Sequence, residues 1–150
     1  MRRVLFLDID GVLNRTGFAP SSNVGMRSWI EPELAARLAT VLEVTGAHVV
    51  LSTSWRIETE LEELRAELHA AGIDGARLLG VTPEHDDDER WSEIETWMRD
   101  HGVPAESVVI LEDFYEMGPL AGRAIMVDPD RGLDEVAASA VVALFARAQR

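Results

Sequence analysis

The sequence predicts an α/β fold: a doubly wound, mostly parallel sheet with helices on both faces, as a single domain over residues 1–150. Three observations carry the prediction. The chain is long enough for one ordinary domain with a core, and 47% of its residues are hydrophobic. Short apolar runs rich in Val, Leu and Ile alternate with stretches whose apolar residues recur at helical spacing. Such β-α alternation, with strands apolar on both faces, is the pattern of a parallel sheet covered by helices.

The elements follow in order. Residues 3–9 form a buried strand, and residues 10–31, with Gly11, Gly17, Pro20 and Gly25, read as a loop. Pro32 suits the first position of a helix, Leu34, Leu38 and Leu42 mark its buried stripe, and Gly46 stops it. Residues 48–52 are the second strand. Leu61, Leu64 and Leu68 mark a second helix ending near Gly72, and a weak strand lies at 77–80. Ile94, Trp97 and Met98 mark a third helix that ends at His101 and Gly102. Strands are expected at 108–111 and 124–127, and a closing helix at 133–148 carries Leu133, Val136, Ala140 and Leu144.

Composition excludes several functions. There is no cysteine, so disulfides, thiolate metal sites and cysteine nucleophiles are ruled out. All 14 basic residues are arginine, which rules out Schiff-base catalysis. The net charge of −13 repels phosphate backbones and anionic membranes, which disfavours nucleic-acid binding by this chain alone. No apolar run is long enough to span a bilayer. The opening Met1-Arg2-Arg3 resembles a signal peptide, but Asp8 and Asp10 break the apolar region that follows, so the expectation is a cytoplasmic protein.

In a doubly wound sheet, ligands bind at the carboxyl ends of the strands. Here those ends carry Asp8-Ile9-Asp10-Gly11, Ser52-Thr53-Ser54 and Glu112-Asp113. Asp8 and Asp10 are two apart on an extended segment and so point the same way. Carboxylates held together repel unless a cation neutralises them. With Asp113 added, the set calls for a hard, oxygen-loving ion, and Mg²⁺ is the natural one. Ser52 and Thr53 either cradle an anion through a hydroxyl and free N–H groups or simply cap a helix. Glu112 is expected to point away from the site, because neighbours on a strand face opposite ways. Glu116 is a weaker candidate acid.

At these residues the sequence resembles the haloacid dehalogenase-like superfamily of phosphotransferases. Its first motif, an apolar strand followed by Asp-x-Asp-Gly, is similar to Leu5-Phe6-Leu7-Asp8-Ile9-Asp10-Gly11-Val12-Leu13-Asn14. Its strand ending in Ser or Thr maps onto Ser52, and its late acidic pair onto Glu112-Asp113. The family's lysine has no counterpart; Arg90 at the start of the third helix is the first choice to replace it and Arg77 the second. For Arg90 the alternative is a salt bridge with the nearby acids Asp86, Asp87, Asp88 and Glu89. The segments Leu51-Ser52-Thr53-Ser54-Trp55-Arg56 and Trp91-Ser92-Glu93-Ile94-Glu95-Thr96-Trp97 resemble, within the superfamily, the domain found in Swiss-army-knife RNA repair proteins.

The resemblance implies roles. Asp8 is the nucleophile that forms an aspartyl-phosphate, and Asp10 is the general acid and base. Asp8, the backbone carbonyl of Asp10 and Asp113 hold Mg²⁺, while Ser52 and Arg90 hold the transferred phosphoryl group. Gly11 and Thr53 also line the phosphate site. Arg56 either binds substrate or is a surface arginine, and Trp55 is a lid or a core wedge. The segment 11–31 is too short for the cap domain many relatives carry, so the site is open and suits a large phosphorylated substrate. The other readings are a binding or regulatory module with weak turnover, a receiver-like signalling domain and a metal nuclease.

Overall fold

The computed structural model describes residues 2–21, 25–52, 55, 59–84, 89–113 and 116–147. The strands are β1 (Val4–Leu7), β2 (His48–Leu51), β3 (Leu78–Val81), β4 (Val108–Glu112) and β5 (Ala124–Met126). The helices are α1 (Pro32–Thr45), α2 (Leu61–Ala70), α3 (Arg90–His101) and α4 (Glu135–Arg147). The strands form one sheet in the order β3-β2-β1-β4-β5, and every pairing is parallel. This is the α/β architecture expected from the alternation, and no cap domain stands among the described residues.

The topology explains which helix covers which face. The chain runs outward from β1 through α1 to β2 and through α2 to β3. It then crosses back by α3 to β4 on the far side of β1. With right-handed crossovers, reversing the direction moves the connection to the opposite face. Two cores result. Leu5, Leu7, Val49, Leu51, Val109 and Leu111 pack with α1, α2 and α4. Val4, Phe6, Val50, Val108 and Ile110 pack with Ile94, Trp97 and Met98 of α3. Phe6 meets Trp97 edge-on, with ring centroids 5.6 Å apart. Buried strands of this kind show no alternation in sequence, because both faces are apolar.

Helix ends obey local rules. Pro32 occupies the first turn of α1, and Gly46 closes it with a left-handed φ of 71°. The last helix starts two residues later than expected. Gly132 has φ 63°, outside the helical region, and Asp134 accepts from Ala137 N at 2.8 Å as its cap. Leu133 is therefore buried ahead of the helix, its N–H donating to Val12 O at 2.7 Å.

The segment expected to be a plain loop after β1 is better anchored than its composition suggests. Val12, Leu13, Met26 and Ile30 are buried in the larger core, and Met26–Trp29 form a 3₁₀ turn. Their spacing matches neither a strand nor a helix, so no periodicity marks them. Among the described residues, no helix is long and apolar enough to cross a membrane.

Candidate active site

The order of strands puts the reversal of direction between β1 and β4. At such a switch point the connections leave to opposite faces, which opens a crevice at the carboxyl edge. Register then fills that crevice. Leu7 pairs with Leu51 on one side and with Leu111 on the other. The next residue of each strand is Ser52, Asp8 or Glu112, and the ladder continues into them. Ser52 N donates to Leu7 O at 3.0 Å, and Asp8 N to Leu111 O at 3.4 Å. Side chains alternate along a strand, so these three lie on the face of Val50, Phe6 and Ile110, beneath α3.

Glu112 therefore points into the site, which corrects the expectation that it turns away. That expectation treated Glu112 and Asp113 as neighbours on one strand. In fact β4 ends at Glu112, and Asp113 lies past it, where alternation no longer applies. Glu112 is wholly buried, and its Oε1 accepts from Ser52 Oγ at 3.3 Å. Carboxylate oxygens of Asp8, Glu112 and Asp113 all come within 4.8 Å of one another.

The crowding shows at Glu112. Burial pushes the Glu112 carboxyl up to about 9, the neighbouring Asp8 carboxylate adds to the rise, and the Arg90 guanidinium opposes it. Arg90 is the first residue of α3 and only 10% exposed at its side chain; its Nε stands 3.6 Å from Glu112 Oε1. Arg77 is at the other end of the sheet, where its Nη1 donates to the carbonyl oxygen of Ala47, the residue directly ahead of β2. Arg77, the second choice for the lysine's place, thus lies at the edge opposite the acidic group.

Gly11 explains why a glycine must follow the second aspartate. Its φ is +83°, and a Cβ there would stand 2.8 Å from Asp113 Cγ and 2.9 Å from Asp113 Cβ. The bare Cα lets the loop after β4 close against the turn after β1. Asp10, one residue earlier, is exposed, and its carboxylate stands outside the three-acid group. Its Oδ1 accepts from Asn14 Nδ2 at 3.0 Å. Asn14 also receives Gly11 N at 3.0 Å on its Oδ1 and donates to Trp29 O at 2.8 Å.

Other expectations resolve differently. The Ser52 N–H is not a free donor for an anion, because the ladder takes it, so only the hydroxyl faces the site. Thr53 and Arg56 lie outside the described residues, as do Asp86, Asp87 and Asp88. Trp55 is half-buried against the larger core, as the core-wedge reading has it. Glu116 is exposed and outside the acidic group.

A family described as "HAD domain in Swiss Army Knife RNA repair proteins" matches residues 4–138. The chain belongs to this family. No curated protein matches it. The matched span of this HAD domain runs from β1 into α4 and so contains every described element of the crevice. Family membership marks the chain as a HAD-type hydrolase domain, and the acidic group is compatible with that.

Two residues of this HAD domain's crevice take a place that sequence patterns alone do not give them. Glu112 would have emerged from aligning the ends of the buried strands, since register puts it beside Asp8. Asn14 closes the motif segment, and the resemblance implies no role for it. Its signal is weak: one polar residue among Val12, Leu13 and Ile30, buried to 7% exposure.

Proposed function

We propose that this protein is a Mg²⁺-dependent phosphomonoesterase that works through an aspartyl-phosphate on Asp8, with Asp10 as general acid and base. The observation that carries the reading is the meeting of Asp8, Glu112 and Asp113 within 4.8 Å at the crevice, with Arg90 and Ser52 beside them.

The donor set fits the ion. All the groups are oxygens, which suits a hard divalent cation and not a soft one. Burial first, and the Asp8 carboxylate second, raise the proton affinity of Glu112 against the opposing Arg90, so a cation at the group would favour its ionised form. Asp8, Asp113 and the Asp10 carbonyl would hold Mg²⁺, with Glu112 against them. When bound, the ion would neutralise these carboxylates and polarise a phosphoryl oxygen.

Each protein group then has a task. An Asp8 oxygen bonds to phosphorus as the ester P–O bond breaks, and the departing oxygen takes a proton from Asp10. In the second step Asp10 takes a proton from water as that water attacks phosphorus and frees Asp8. Arg90 has a fixed charge and a forked set of donors, so it can grip the transferred phosphoryl group in place of a lysine. The Ser52 hydroxyl supports the same group. Thr53, Arg56 and Gly11 complete the substrate side of this proposal.

With no cap among the described residues, the crevice admits a phosphate carried on a large molecule, in the cytoplasm. The family's description names RNA repair, which makes an RNA end one such substrate. The charge of −13 means that this chain would need a partner to hold a polyanion. The deciving comparison is hydrolysis of p-nitrophenyl phosphate with and without Mg²⁺, in wild type and Asp8→Asn. Turnover that needs both Mg²⁺ and Asp8 supports the proposal. Turnover that survives Asp8→Asn refutes it, and no turnover by folded, Mg²⁺-bound protein favours a binding module.

A further inference from the structure

We infer that Asn14 is the positioning residue for the Asp10 proton, and that it suits the site to phosphate esters of aliphatic alcohols. The inference rests on the phosphatase reading above, in which Asp10 serves the leaving group.

Asp10 is exposed, and an exposed carboxyl turns freely unless something holds it. The Asn14 side-chain amide does so. Its orientation is forced by its partners: Gly11 N–H can only donate, so the atom facing it is the oxygen. The nitrogen then faces Asp10 Oδ1 at 3.0 Å and Trp29 O at 2.8 Å, both acceptors. All the bonding directions are matched, and Asn14 itself is buried. Because Trp29 O belongs to the 3₁₀ turn Met26–Trp29, the amide is pinned to a segment anchored in the core by Met26 and Ile30.

The consequence is chemical. Oδ1 of Asp10 takes the amide's hydrogen bond, so the proton of the acid form is left to Oδ2. That proton goes to the departing oxygen as the P–O bond breaks, and the electron pair of the bond accepts it. A p-nitrophenolate leaves without needing a proton, but an alkoxide does not. A site that fixes its acid in this way gains only with esters whose alcohol is a poor leaving group.

The test compares two esters, p-nitrophenyl phosphate and glycerol 2-phosphate, in wild type, Asn14→Ala and Asn14→Asp. The aspartate variant keeps shape and the acceptor for Gly11 N but loses both donors. Both variants should lose kcat on glycerol 2-phosphate by about ten-fold more than on p-nitrophenyl phosphate, with KM little changed. Equal losses on the two esters, or no loss, would overturn the inference while leaving the phosphatase reading intact. A wild type inactive on both esters would remove the phosphatase reading and this inference with it. The hydrogen bond is also read without turnover: in ¹⁵N-labelled protein the Asn14 side-chain amide resonance should move on Asp10→Ala. An unmoved resonance overturns the inference.

Discussion

Replacing Gly11 by alanine separates two costs that usually come together. The φ of +83° penalises any Cβ by about 1–2 kcal/mol. The same Cβ would stand 2.8 Å from Asp113 Cγ, well inside ordinary contact, and relieving such overpacking costs about 1–3 kcal/mol. Gly17 supplies the control, since its φ is +86° and nothing lies within 4 Å of a Cβ placed there. Urea denaturation of Gly17→Ala should report the conformational cost alone. Gly11→Ala should fall below it by about 1–3 kcal/mol, or else should relieve the clash by swinging Asp113 out of the acidic group. In the second case Mg²⁺ affinity, measured by calorimetry, should drop while stability approaches that of Gly17→Ala. If Gly11→Ala matches Gly17→Ala in stability and wild type in Mg²⁺ affinity, the close approach of Gly11 and Asp113 is refuted.

Three further outcomes are expected. Arg90→Met should cut turnover on the order of a hundred-fold, and Arg90→Lys should recover part of it; an unchanged rate for Arg90→Met would remove Arg90 from the site. In Mg²⁺-free protein, stability should fall as pH rises from the ordinary carboxylate range toward 9. The sign follows from Glu112: the folded chain keeps a proton that the unfolded chain has lost, so raising pH favours unfolding, by at most about 1.4 kcal/mol per pH unit. Urea midpoints at pH 6 and pH 8 measure this, and Glu112→Gln should flatten the difference. For the same reason Mg²⁺ should bind more tightly at pH 8 than at pH 6 and release a proton as it binds, which calorimetry in two buffers of different ionisation enthalpy will show or deny.

By itself the sequence determined the class of fold, because periodicity and apolar runs are local properties. Leu34, Leu38 and Leu42 mark α1, and Pro32 and Gly46 bound it, whatever the rest of the chain does. It also determined which strand ends carry acid and hydroxyl, and the Asp-x-Asp-Gly spacing pointed to the family. Only the tertiary structure decided how those ends meet. Glu112 enters the crevice because parallel register aligns β1, β2 and β4 at Leu7, Leu51 and Leu111, a relation between segments far apart in sequence. Arg77 and Arg90 flank β3, yet Arg77 precedes the strand and Arg90 opens the helix that follows it, so strand direction sends Arg90 to the carboxyl edge with the acidic group and Arg77 to the opposite edge. The roles of Gly11 and Asn14 depend on Asp113 and Trp29 arriving beside them. Those contacts are made by packing across loops, where no period in the sequence records them.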